Sequence, residues 1–147
     1  DKKYMSKSED LAFGSKHEKK IHNKLESVFG ELKNSRCNPE MGKYYEFDKY
    51  NDNYFIEIKT RRIRHNTHCS LFFGKNKLVK GDKLLNENPN LRIFYLWQCS
   101  DGVYGWEHRS TEFNIEDRGR TDRGKDEINK CVDIETRHLK PLTELLT

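Results

Sequence analysis

An acid at position 48 and an acid–apolar–lysine run at 57–59 are the residues of this sequence whose types and spacing suit chemistry. Asp48, Glu57 and Lys59 lie in or beside segments rich in aromatic and branched apolar side chains, where charge at alternate positions stands out. In a strand, Glu57 and Lys59 project to one face, while Ile56 and Ile58 project to the other and anchor in a core. Two carboxylates converging on that face suit a hard divalent cation, Mg²⁺ or Mn²⁺, which neutralises a phosphate oxygen and acidifies a bound water. An ammonium beside them can orient or help deprotonate the nucleophile and stabilise charge on a pentacovalent phosphate. Acid, acid and lysine together suit phosphodiester cleavage. The simpler alternative is a solvated strand face carrying unlike charges.

The elements that must position these residues follow from pattern. Residues 44–50 read as a strand, Asn51, Asp52 and Asn53 as a turn, and residues 54–60 as a second strand, so that 44–60 form a hairpin. With an even turn centred between Asn51 and Asp52, Asp48 opposes Phe55 and sits diagonal to Glu57, roughly 7–8 Å away at Cα. Upstream, Ile21, Leu25, Val28, Phe29 and Leu32 recur at helical spacing opposite Lys19, Lys20, Lys24 and Ser27, predicting an amphipathic helix over 15–32. Ser15 and Glu18 also have capping-box spacing. Downstream, residues 75–85 suit a helix that Gly81 interrupts. The run 91–99 is apolar on both faces and suits a central strand. Asp101 and Gly102 then turn the chain into a second hairpin over 103–108. Residues 116–126 hold no apolar side chain and read as a mobile loop. Residues 131–134 suit a short strand, and Leu139, Leu142, Leu145 and Leu146 a final helical turn. The order predicts one α/β (α+β) domain over 1–147 with a mixed sheet.

Bulk properties narrow the partners. Apolar residues make up 33% of the 147 against 35% charged, and 12% are aromatic, so Tyr, Phe and Trp must carry much of the core. Trp97 and Trp106 read as core or hairpin packing. The net charge is only +4. Between Lys59 and Lys83, however, eight Lys or Arg face one acid, Asp82, a local excess of +7. Such a stretch points to an anionic partner, nucleic acid foremost. Arg61, Arg62 and Arg64, with Lys75, Lys77 and Lys80, are its candidate phosphate contacts, and Lys77 is the choice for a direct role. Cys37, Cys69, Cys99 and Cys131 form no CxxC pair, and His65, His68 and Cys69 lack a fourth ligand at sensible spacing, so neither a zinc site nor a disulfide framework is expected. Reduced thiols, with neither a secretory signal nor a membrane span in view, suggest a soluble intracellular protein.

Phe47-Asp48, a turn, and then Phe55 to Arg61 with Glu57 and Lys59 resemble the D…ExK core of PD-(D/E)xK nucleases, with Phe47 where the family's proline stands. Gly14 to Glu18 resembles the GxxxE pattern by which some members add a metal-binding acid. The resemblance covers about residues 14–108. In style it is close to short nuclease-like proteins of large DNA viruses, the hairpin from Asp101 to Glu107 included. It implies a restriction-endonuclease-like core: a helix, a three-stranded meander, a second helix and a further strand, forming a central mixed sheet flanked by helices. It further implies a Mg²⁺- or Mn²⁺-dependent deoxyribonuclease, an endonuclease, in which Asp48, Glu57 and Glu18 bind metal, Ile58 adds its backbone carbonyl and Lys59 positions the attacking water. DNA is then the expected partner and a homodimer an expected assembly. A viral protein would act in the host cytoplasm or nucleus, or be packaged in the virion. The alternative is a catalytically inactive nucleic-acid-binding or virion structural protein on the same fold.

Overall fold

In chain order the elements are α1 (Lys7–Phe29), β1 (Lys33–Asn34), β2 (Lys49–Tyr50), β3 (Tyr54–Thr60), β4 (Ser70–Gly74), α2 (Lys75–Glu87), β5 (Arg92–Cys99), β6 (Gly102–Glu107), β7 (Asn114–Gly119), β8 (Ile128–Glu135) and β9 (Lys140–Pro141). This computed structural model describes residues 7–108, 114–119 and 128–147, with side chains for 18–108 and 130–147. Two compact units emerge, Asp1–Leu32 and Lys33–Thr147.

The first unit is the expected amphipathic helix. Ile21, Leu25, Phe29 and Leu32 are buried, while Lys19, Lys20, Lys24 and Ser27 are exposed. It starts well before residue 15, which corrects the capping-box reading: Ser15 lies inside the helix, whereas a cap needs non-helical backbone at its start. Gly30, at φ 82°, ends it, and the Glu26 carboxylate accepts the Leu32 N–H at 2.9 Å beyond the last turn. Among the described residues no helix is long and apolar enough to cross a membrane.

The second unit is α+β. A six-stranded mixed sheet has the order β1-β2-β3-β5-β6-β9, and a three-stranded antiparallel sheet the order β4-β8-β7. Only β3 and β5 are parallel in the larger sheet, and α2 lies in the connection between them. As its two-sided apolar pattern predicts, β5 is central, with Ile93 to Trp97 all buried.

Several expectations change. Residues 44–48 are not strand. The first hairpin arm is only Lys49–Tyr50, because Gly42 (φ 77°) ends a turn and the Ser35 hydroxyl donates to Phe47 O at 2.5 Å, curving the chain so that Phe47 enters the core. Residues 116–119 are strand, not loop, since β7 pairs with β8 through a backbone ladder that needs no apolar side chain. Residues 120–127 of that expected loop lie outside the described residues. The return strand is longer than 131–134, and the last turn is a 3-10 turn at Leu142–Glu144, with Leu142 and Leu145 buried.

The core beneath the site is aromatic. Phe73 of β4 stacks on Tyr95 of β5 at 3.9 Å between centroids and 11° between planes, and Trp106 lies 5.6 Å from Tyr95. This stack joins the two sheets. Gly81 does not break α2, which runs to Glu87. A Cβ there would sit 2.9 Å from the His108 ring and 3.0 Å from Tyr95 Oη, so glycine lets the helix lie directly on β5 and β6. His108 also bonds Asp82 Oδ1 and Tyr95 Oη, each at 2.8 Å, and cannot simply swing aside. Gly81→Ala should therefore destabilise the fold by about 1–3 kcal/mol through overpacking, despite a gain in helix propensity of about 1 kcal/mol. A melting temperature above wild type would show that the helix has room.

Candidate active site

Parallel pairing with β5 decides which edge of β3 carries the candidate site. Arg92 N–H donates to Asn53 O and Arg61 N–H to Gln98 O, so odd-numbered residues of β3 spend their backbone groups on β5. Even-numbered residues turn theirs toward β2. Since β2 ends at Lys49, paired with Ile56, the Ile58 amide has no strand beside it. Asp48 takes that place: its Oδ2 accepts the Ile58 N–H at 3.0 Å.

The hairpin register differs from expectation. Tyr50, not Asp48, opposes Phe55, so the turn is even but centred between Asp52 and Asn53. Asp48 N–H donates to Ile56 O at 2.9 Å although Ile56 is paired with Lys49, so two residues face one. This bulge turns Asp48 out of the ladder and sets its carboxylate beside β3. Asn51 fixes the turn by accepting the Asn53 and Tyr54 amides on its side-chain oxygen, at 2.9 and 2.8 Å.

Glu57 projects from β3 onto the face that α2 and β4 cover and is only 5% exposed. Its Oε1 accepts the Lys77 ammonium at 2.7 Å, while its Oε2 is buried without a hydrogen-bond partner. Burial above all, and then the Asp48 carboxylate, push its pKa up to about 7, against the pull of Lys77 and Lys59. Lys59 is held below the ordinary lysine range, first by burial and then by Arg61 and Lys77. Its ammonium lies 5.4 Å from the Phe72 ring centroid, and the Arg61 guanidinium is 5.1 Å from the same ring. Asp48, Glu57, Lys59 and Lys77 thus form one electrostatically coupled group. Phe72, on an unforeseen strand, was not signalled by the sequence.

The other predicted residues are more dispersed. Ile56 is buried, but Ile58 is half-exposed, so the far face of β3 is less sealed than expected. Arg61 and Lys75 are half-buried, while Arg62 and Arg64 are exposed. Lys80 holds its ammonium 5.2 Å from the Tyr45 ring. Glu18 is exposed on α1, in the first unit. None of the four cysteines is joined in a disulfide, and Trp97 and Trp106 are core residues.

Whether a divalent ion fits is decided by the donors. Glu57 Oε2 is a buried anionic oxygen with no partner, Asp48 stands close enough to raise the Glu57 pKa, and the Ile58 carbonyl lies on the Asp48 edge of β3. Two carboxylates and a carbonyl are hard oxygen donors of the kind Mg²⁺ and Mn²⁺ take. No group of three or more His, Cys, Asp or Glu that could hold a metal gathers among the described residues. Comparison with known protein families, curated proteins and solved structures finds no match.

The Glu57 shift carries a sign. A carboxyl raised from 4.5 to about 7 binds its proton more tightly in the folded state, so the fold loses stability as pH rises from about 4.5 to about 7. The loss is on the order of 3 kcal/mol. Glu57→Gln should flatten that decline and melt above wild type at pH 8 in chelator. Parallel pH profiles of the two proteins would mean that Glu57 does not titrate this way.

Proposed function

We propose that this chain is a divalent-metal-dependent deoxyribonuclease that hydrolyses phosphodiester bonds, acting as an endonuclease. The observation that carries the reading is the buried, unpartnered Glu57 Oε2 beside Asp48, on a strand that also presents Lys59. Asp48, Glu57 and the Ile58 carbonyl would hold Mg²⁺ or Mn²⁺; when bound, the ion supplies charge neutralisation at phosphate and a more acidic water. Lys59 faces the same space, and its lowered pKa eases proton exchange with an attacking water while its charged form stabilises a phosphorane oxygen. Lys77 orients the Glu57 carboxylate, and Arg61, Arg62 and Arg64 meet backbone phosphates.

A restriction-endonuclease-like core belongs to the same proposal. What supports it is the order of a helix, three antiparallel strands β1-β2-β3, then, after β4 of the other sheet, a helix and β5 parallel to β3. A second reading, a nucleic-acid-binding protein that does not cut, has its own observation: the Lys77 ammonium already supplies Glu57 with part of the charge that a metal would bring.

Two measurements separate them. Linear, circular and branched DNA incubated with Mg²⁺, Mn²⁺ or chelator should be cut only with metal, and Lys59→Ala should abolish cutting without lowering the melting temperature. Mn²⁺ should raise the melting temperature of wild type, by an amount set by its concentration relative to Kd, and leave Asp48→Asn unmoved. Equal shifts in both proteins, or full turnover by Lys59→Ala, would dismiss the site as drawn.

A further inference from the structure

The loop after β3 carries a histidine held more tightly than a surface loop requires. Both oxygens of Asp101, in the β5–β6 turn, serve His65: Oδ1 accepts its backbone N–H at 2.9 Å and Oδ2 lies 2.6 Å from its ring Nδ1. The ring also lies flat on Tyr104, 3.7 Å between centroids and 12° between planes. Although partial desolvation pushes the Asp101 carboxyl up, the side-chain and backbone hydrogen bonds from His65 hold it below the ordinary carboxylate range. An ionised carboxylate only accepts, so Nδ1 carries the proton and Nε2 is the nitrogen left to face a ligand. The imidazole keeps a quarter of its surface exposed.

Loop anchoring alone does not need that ring. Ser100 N–H to Ile63 O at 2.9 Å and the His65 backbone bond already tie loop to turn. What the ring adds is a nitrogen of fixed direction, just after Arg61, Arg62 and Arg64. Tyr104 pairs with Trp97, and Trp97 with Lys59, so His65 stacks two strands from the catalytic lysine. Two strand spacings are roughly 9–10 Å. That distance spans about three nucleotides at about 3.4 Å of axis each. The local excess of arginine disfavours a metal cation at Nε2 and favours an anion.

We propose that His65 is a preorganised phosphate-binding residue, Asp101 holding its Nδ1 while Nε2 donates to a phosphodiester oxygen of nucleic acid lying beyond the Lys59 site. The inference rests on the reading that the chain handles nucleic acid, not on its cutting it.

Amide isosteres separate binding from anchoring, because an Asn side-chain nitrogen replaces Nδ1 whereas a Gln nitrogen replaces Nε2. The experiment is fluorescence anisotropy of a labelled DNA duplex in chelator, with a melting curve for each protein. His65→Asn should melt close to wild type and bind about tenfold more weakly, the loss of one charge-assisted hydrogen bond. His65→Gln should melt lower yet bind within about threefold of wild type. Wild-type affinity in His65→Asn, or affinities that simply follow the melting temperatures, would overturn the proposal and leave His65 as a loop anchor. Binding of polyglutamate with equal dependence on His65 would also overturn it, in favour of carboxylate recognition. Wild type that binds no DNA while folded would remove the nucleic-acid reading itself, an outcome distinct from wild-type binding that His65→Asn leaves unchanged.

Discussion

A carboxylate in the interior of β3 is the constraint around which the second unit is arranged. Glu57 gives up hydration, and the Lys77 ammonium reaches only one of its oxygens. For that ammonium to arrive, the first turn of α2 must lie over the middle of β3 and β5. Tyr95 fixes it there, its hydroxyl donating to Lys77 O at 3.2 Å while its ring stacks on Phe73. Gly81, one turn on, lets the helix close down on the same tyrosine. Burying charge this way is a poor means of stabilisation, since apolar groups of like volume commonly do as well or better. The geometry therefore fits the proposed role of the carboxylate better than a contribution to folding.

The parts of this arrangement legible in the sequence are those governed by local periodicity. Alternation placed Glu57 and Lys59 together, the two-sided apolar run made residues 91–99 central, and the Asx cluster marked the turn at 51–53. The misreadings have a common physical origin, because each depended on partners remote in sequence. Tyr44 to Phe47 has strand composition but lies after a turn whose end Gly42 sets. The register slid because the Asn51 side chain closes a turn centred one residue later and a bulge absorbs the difference at Asp48 and Lys49. β7 is held by its ladder to β8, which its own polar residues do not announce. Gly81 looks like a helix breaker until Tyr95 and His108 are seen against it.

The basic stretch from Lys59 to Lys83 likewise divides once folded. Lys77 is committed to Glu57, Lys59 and Arg61 flank Phe72, and Lys80 lies over Tyr45. Arg62 and Arg64 remain exposed. Summed charge thus overstates what is available for steering a polyanion and understates what has been placed for short-range work. A cation against an aromatic ring is partly desolvated, so its interaction with an approaching phosphate is less screened than that of an exposed lysine. The loop from Arg61 to His65, pinned at both ends to β5 or the turn that follows it, presents such groups with little freedom left to lose.

Three cations can satisfy the same pair of acids: a proton, the Lys77 ammonium, and a hard divalent ion. With Glu57 raised to about 7, the proton competes near neutrality. The ammonium reaches Oε1 alone, and Asp48 commits Oδ2 to the Ile58 amide. One oxygen of each carboxylate is thereby held by the protein's own donors, and on the proposed reading the exchangeable cation would take Glu57 Oε2 with the other Asp48 oxygen. The backbone bond from Ile58 orients Asp48 without neutralising it, and the salt bridge orients Glu57 while neutralising only in part. Such a pair stays under electrostatic tension as long as both acids are ionised, and that tension would favour the proposed occupancy by a cation.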